Sequence, residues 1–596
     1  MMRNKGYSLL ILILFLSMVI LIFCAFSAQE DAFSQLQFQA EDPDLILSPW
    51  YDETEDRYTL FLPAFLSPSQ LTVSHPWYLR WEANWEEPFP LEQDITVRVS
   101  FLWSSEHTYT LCLLPCSAEQ TICIDAQEGL LDYLHADKEH AQNVYVTFWD
   151  RAGQQEYAGR TTMSGRGNST WSNWEKKPYN LSFSQPVTVG PFDQADQLCL
   201  LAEYVDSSKL RNALAYHMAQ ELDFPYPSPY VYADLFVNGE YLGLYGVATK
   251  SEYKKHLEED GIQAVFELGF LDKENTFFTD GGKRLRIYYG DQSLIQYHAE
   301  GMEQALESQD PEALAHHIDL ESWAKKYALD ELLYNYDMNK ASEYFYLDTD
   351  GLIRCMLPWD FEWTLYPRLS SNQMSTEYAL CGYYYFSNWS GSLKESEPMG
   401  DVVLPVSKGA YGEFKFASWY GSLLQIEPFR EAVLQTYESA YTDTFFEEIT
   451  GYLEACRQEI LDSRHSDLVR WNGAYLRSHK EVPDESAYFE HPQTLVQDLT
   501  GRLDYLKALF SNWEDYCLVS FWGDISGDVS SFKLQLLIPK GDFTVCHELI
   551  ANSIYAPDGY TIEGVYAEDG TPLENILTVT EETPLFIRLQ PTSPES

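Results

Sequence analysis

Two aspartates flanking a candidate hairpin are the strongest candidates for chemistry. Asp337 follows a helical stretch, and Asp360 lies in Pro358-Trp359-Asp360-Phe361-Glu362. Between them, Tyr344–Leu347 and Leu352–Leu357 flank the turn Thr349-Asp350-Gly351. A hairpin sets its open ends side by side, so the two acids are expected to be neighbours. Close carboxylates repel unless a cation or proton lies between them. Mg2+ takes octahedral oxygen coordination from one or two carboxylates plus substrate phosphates, which makes a metal–phosphate centre one chemistry this pair could serve. Solvated turn residues are the plain alternative, because turns favour Asp. A glycosidase would also use paired carboxylates, with the many Trp and Tyr stacking on sugars, and chemistry alone leaves that open.

A second set lies upstream. Arg166-Gly167-Asn168-Ser169-Thr170-Trp171 is followed by Glu175-Lys176-Lys177-Pro178-Tyr179. A Gly-centred polar loop leading into a strand that opens with lysines could cradle phosphate through backbone N–H groups, with a lysine as point charge. Its spacing is neither that of a Walker loop nor that of the usual kinase glycine loop. The order helix, acid, hairpin, acid is the layout of a protein kinase active centre. There the first acid orients the attacking hydroxyl and the second holds metal under the phosphates. There is no Gly-x-Ser-x-Gly elbow and no His-Glu-x-x-His, and His217, His298, His316 and His317 lack ligand spacing.

The elements that must position these groups follow from periodicity and turn chemistry. Residues 318–336 place Leu320, Trp323, Ala324, Tyr327, Ala328 and Leu332 on one helical face. Tyr230–Val237 and Glu240–Val247 flank Asn238-Gly239, a type I′ hairpin turn needing two residues at positive φ. Val144–Phe148 and Tyr179–Phe183 are expected strands, and Lys209–Leu222 is an expected helix capped by Asp206 or Ser207. Helices are expected from about Phe414 to Trp513. Short alternating runs before Asn143 and after Leu518 indicate β-rich modules. The expected fold is α+β, with residues 1–28 as a leader or anchor, a β-sandwich-like module over 40–143, a core over 144–515 and a small β-rich module over 516–596.

The charge balance excludes some partners. The 596 residues carry 39 Lys+Arg against 91 Asp+Glu, a net charge of −52. Nucleic acid would be repelled, because phosphate binding needs a basic footprint. Basic partners would be attracted at long range. Arg3 and Lys5 precede an apolar run from about Leu9 to Phe26, and Ala25-Phe26-Ser27-Ala28 is a candidate cleavage site. This is a secretory signal or an uncleaved anchor, the one expected membrane contact. Of 10 cysteines, Cys112, Cys116 and Cys123 lie close together without a partner set for zinc. Buried thiols or one local disulfide are expected there.

Four segments together resemble the CotH family of atypical, secreted protein kinases. They are Arg166–Trp171 with Lys176-Lys177-Pro178-Tyr179, Leu200–Asn212, Val237–Tyr245, and Pro358-Trp359-Asp360-Phe361-Glu362. The likeness spans about Val144 to Trp513. It implies a divergent protein-kinase-like core with a helical C-terminal part. It also implies use of ATP and Mg2+ or Mn2+ to phosphorylate Ser or Thr of secreted, cell-surface or spore-coat proteins, with basic or Ser-rich substrates among the candidates. By resemblance, Lys176 or Lys177 contacts ATP phosphates, with Arg166 and Asn168 in the phosphate loop. Asp337 is the catalytic acid and Asp360 the metal ligand. Ser342 stands five residues after Asp337, where typical kinases place a metal-binding Asn. Glu362 stands where the family has Asp, and both join the metal set. A kinase-like surface scaffold or adhesin without catalysis is the alternative.

Overall fold

The computed structural model describes Ser17 and residues 32–364 and 419–591, apart from 42, 85–87, 102–105, 269–273, 282, 336–337, 339–341, 357–358, 362–363, 479–485, 523–531, 544–559, 574–576 and 582. Asp337 and Glu362 therefore lie outside the described residues, as does the expected export segment apart from Ser17. The chain forms two compact units. One comprises Met1–Ala202, Val231–Val247 and Gln458–Ser478, and the other the remaining residues.

The first unit opens with β1 (Gln37–Glu41), β2 (Asp44–Leu47), β3 (Trp50–Asp52), β4 (Arg57–Leu62), β5 (Leu71–Ser74), β6 (Leu79–Ala83), β7 (Ile95–Phe101) and β8 (Glu106–Pro115). These make a three-stranded sheet, β2-β1-β5, and a five-stranded sheet, β3-β4-β8-β7-β6. Phe33, Phe38, Leu60, Val97, Val99 and Leu113 are among the buried side chains of their shared apolar core. Removing such area from water supplies the main stabilisation of a module this rich in short strands.

A closed seven-stranded barrel follows. Its strands are β9 (Gln120–Asp125), β10 (Ala141–Asp150), β11 (Gln155–Gly165), β12 (Tyr179–Val189), β13 (Phe192–Leu201), β14 (Val231–Val237) and β15 (Glu240–Ala248). The barrel closes because β9 pairs in parallel with β14, Leu235 opposite Ile122. The β14–β15 hairpin turns at Asn238 and Gly239, both at positive φ, as the Asn-Gly pair predicts. The Asn238 side chain accepts from Ala126 N at 2.8 Å, tying this turn to the end of β9. Helix α1 (Leu130–Ala136) and the single-turn α2 (Ser169–Asn173) decorate the barrel. A late segment of the chain, α10 (Leu461–Ser478), completes the unit.

In the second unit, α3 (Arg211–Glu221) is followed by a five-stranded sheet in the order β17-β18-β16-β19-β20. Its strands are β16 (Ala264–Leu268), β17 (Thr276–Phe278), β18 (Arg284–Tyr289), β19 (Glu343–Leu347) and β20 (Ile353–Cys355). The helices are α4 (Gln292–Ser308), α5 (Pro311–Leu314), α6 (Leu320–Leu332), α7 (Trp419–Leu423), α8 (Glu427–Ser439), α9 (Asp443–Glu459), α11 (Ser486–Glu490) and α12 (Pro492–Ser511). A four-stranded and a two-stranded sheet between Tyr516 and Pro591 end the chain. The chain is thus a mixed α+β protein.

Two local devices fix the β19–β20 hairpin. Asp348 accepts from Asp350 N and Leu352 N, both at 2.9 Å, and Gly351 takes the positive φ that closes the turn. Behind the hairpin, Asp319 caps α6 by accepting from Ser322 N at 2.7 Å, and the Trp323 indole donates to Ile353 O at 2.9 Å. The expected helix and hairpin therefore form as one packed piece. Cys112, Cys116 and Cys123 are free, buried thiols. Among the described residues no helix is long and apolar enough to cross a membrane.

Candidate active site

The two lysines before β12 have different environments, both set within the first unit. Lys176 is fully buried. Its ammonium donates to Asp467 Oδ1 and to Leu244 O, each at 2.5 Å, and lies 4.5 Å from the centre of the Tyr245 ring. Asp467, on α10, also accepts from Leu244 N at 3.0 Å. A buried ammonium is tolerated only with such complete pairing. Gly243, at φ +112°, makes the approach possible. A Cβ there would meet Asp467 Oδ1 at 2.3 Å and Lys176 Cε at 2.9 Å. Protein kinases pair their nucleotide lysine with an acid from a helix in the same way.

Lys177 turns elsewhere. Its ammonium donates to Trp171 O and Trp174 O at the end of α2, and its own carbonyl accepts from Tyr245 OH at 3.0 Å. Burial pulls its pKa below the ordinary lysine value.

The expected phosphate loop holds Gly167 at φ +78°. Lys138, a cation the motif reading missed, donates to Gly167 O at 3.1 Å and to Asn168 Oδ1 at 3.3 Å. Asn168 precedes α2 without capping it through its side chain. Arg166 N donates to Pro178 O at 3.2 Å, joining the loop to the start of β12.

In the second unit the structure brings Ser342 and Asp360 together. Ser342 Oγ donates to Asp360 Oδ2 at 3.5 Å. Both residues sit at positive φ, +60° and +66°. Non-glycine residues rarely adopt that region, and such conformations persist only where surrounding structure enforces them. The enforcement on Asp360 comes from α3. Asn212 Oδ1 accepts from Phe361 N at 3.2 Å. The buried Arg211 guanidinium donates to Thr364 O at 3.0 Å and to Val205 O at 2.8 Å. Tyr216 presses edge-on against both Trp359 and Phe361, with ring centres 5.9 Å apart in each case. Asp206 holds the start of α3 by accepting from Arg211 N at 2.8 Å, and it also takes Ser208 N and Oγ. The segment Asp206–Asn212 is therefore a clamp on the Asp360 segment.

A buried charge cluster underlies the other arm. Lys326 of α6 donates to Asp330 and to both oxygens of Glu343, the first residue of β19, at 3.1 Å. Burial raises the Glu343 pKa against the pull of Lys326. Asn335, just after α6, is fixed by bonds to Asp330 through its backbone at 2.7 Å and its carboxamide at 3.1 Å. These contacts anchor the chain on both sides of 336–341.

The donor set suits a hard cation. Asp360 supplies carboxylate oxygen and Ser342 a hydroxyl, which matches Mg2+ or Mn2+ bound by few protein ligands and completed by phosphates or water. Among the described residues no group of three or more His, Cys, Asp or Glu side chains forms a self-sufficient metal site.

These groups sit in one continuous stretch of a mixed α+β chain. That stretch matches the CotH kinase protein family over residues 163–506, more than half the chain, and the protein belongs to that family. No curated protein matches the sequence.

Proposed function

We propose that this protein is an exported, CotH-type protein kinase that transfers the terminal phosphoryl group of ATP to Ser or Thr of secreted or surface proteins. The observation that carries the reading is the buried Lys176–Asp467 pair. It gives the lysine of the family motif the helix-borne acid that kinase nucleotide lysines require.

In this reading Lys176 or Lys177 meets the ATP phosphates, and Asp467 and Leu244 O fix the direction of the buried Lys176 ammonium, which acts through its charge. Asp360 and Ser342 hold Mg2+ or Mn2+, with Glu362 as a further ligand. The bound metal neutralises charge on the phosphates. Asp337 accepts the proton of the attacking hydroxyl. The acidic chain favours basic, Ser-rich segments as substrates, with attraction falling as salt rises.

The test is transfer of labelled phosphate from ATP to the protein itself or to basic Ser-containing peptides with Mg2+ or Mn2+. Transfer by the native protein, abolished in a folded Asp360→Ala variant, supports the reading. Absence of transfer with either metal contradicts it.

A further inference from the structure

Lys250 follows β15 and belongs to none of the roles assigned above. Its ammonium donates to the Tyr344 hydroxyl at 2.7 Å. The same ammonium lies 4.6 Å from the centre of the Trp359 ring and 5.1 Å from that of Tyr344. Tyr344 comes two residues after Ser342, and Trp359 immediately precedes Asp360. One cation therefore touches both arms that carry the candidate metal ligands.

We infer that Lys250 is a positioning residue for the metal site, setting the separation of Ser342 and Asp360 by bridging Tyr344 and Trp359. The inference rests on the kinase reading above.

Three observations carry it. First, the partners are rigid. Trp359 and Tyr344 are 1% and 3% exposed, so moving the ammonium would move the arms. Second, the Tyr344 hydroxyl is the acceptor for the Lys250 ammonium, and a second aromatic ring flanks its own. Tyr288, which donates to Glu267 at 2.7 Å, stands beside it. Third, a half-buried ammonium is a costly choice for filling space between two aromatic rings. An aliphatic side chain would pack there without desolvating a charge. A cation on the indole face holds that ring in one place.

The test is Mn2+ binding without nucleotide, followed by electron paramagnetic resonance. The native protein is compared with Lys250→Met and Tyr344→Phe, each checked for native folding by circular dichroism. Partners that orient metal ligands contribute about 10- to 100-fold to metal affinity. Lys250→Met is expected to weaken Mn2+ binding by about that range. Tyr344→Phe, which keeps the ring and removes the acceptor, is expected to weaken it less. Lys250→Arg, which keeps a cation over Trp359, is expected to restore most of the affinity. Native Mn2+ affinity in folded Lys250→Met overturns the inference and leaves the kinase reading standing. If Lys250→Met does not fold, native affinity in Tyr344→Phe overturns it instead. Absence of Mn2+ binding by the native protein both without and with ATP overturns both.

Discussion

The Lys176–Asp467 pair in the first unit and the Ser342–Asp360 pair in the second are built in opposite ways. The first is sealed. Both charges are buried, the ammonium is bound by two oxygens at 2.5 Å, and a glycine leaves no room for one more carbon. The second is joined less closely: Ser342 Oγ meets Asp360 Oδ2 at 3.5 Å, and each residue is held at positive φ by its neighbours. A pair completed by the protein itself is part of the folding free energy, and removing one partner strands a buried charge. The proposed role of the second pair is to bind metal, so its disruption is expected to appear mainly in binding. Lys176 is thus held in place by the fold before any ligand arrives.

Asp467→Ala should sharpen this contrast most. It leaves the Lys176 ammonium buried and unpaired, with an expected loss of about 3–5 kcal/mol in unfolding free energy. Asp360→Ala is expected to leave stability within about 1 kcal/mol of native while abolishing transfer. Equal destabilisation by the two substitutions in urea unfolding would erase the proposed difference.

Asp234 offers a titration of the same neighbourhood. It is buried beside Asp467 and accepts from Ser463 Oγ at 2.7 Å, Tyr241 OH at 2.8 Å and Ala118 N at 3.2 Å. Burial raises its pKa from 3.8 to about 6. A raised carboxyl pKa in the folded state contributes stability that is complete below the unfolded value and is lost as pH rises through about 6. Asp234→Asn should remove that part of the slope from the variant, so that the native-minus-variant difference falls by on the order of 2–3 kcal/mol between pH 4 and pH 7. A difference that stays constant over this window would contradict the assignment.

Gly243→Ala perturbs the sealed pair without removing either charge. The added Cβ meets Asp467 Oδ1 at 2.3 Å from a backbone at φ +112°, so a loss of about 1–3 kcal/mol is expected in thermal unfolding. A neutral result would show that the pair can shift without cost and is not sealed.

What was legible in the sequence follows from whether the deciding physics is local. Asn238-Gly239 and Asp350-Gly351 announced their hairpins because Asn238, Gly239 and Gly351 accept the positive φ that such turns require. The apolar stripe of α6 announced its helix by spacing, and its buried face includes Trp323, Tyr327 and Leu332. Asp206 or Ser207 was expected to cap a helix over Lys209–Leu222; the helix instead begins at Arg211, with Leu210 at its N-cap and no side-chain cap, and Asp206 reaches it by accepting from Arg211 N. Asp467 gave no such signal. It lies 291 residues from its lysine, inside a helix that carries both Asp and Arg, and only the fold brings the two together. The same holds for β9, whose parallel pairing with β14 closes the barrel from a stretch assigned on pattern to the N-terminal module. Lys250 and the Arg211–Asn212 clamp were also missed as functional groups. Their partners Trp359, Phe361 and Thr364 are distant in sequence, although Arg211 and Asn212 themselves stood in a quoted motif. Asp337 and Glu362 remain where the resemblance put them, outside the described residues.

The most direct measurement is calorimetric titration of ATP into the native protein and into Asp360→Ala, each with and without Mg2+. The account predicts that Mg2+ strengthens ATP binding to the native protein, and that Asp360→Ala retains weak ATP binding with no strengthening by the metal. ATP binding that is absent from the native protein, or that responds to Mg2+ equally in both proteins, would contradict it.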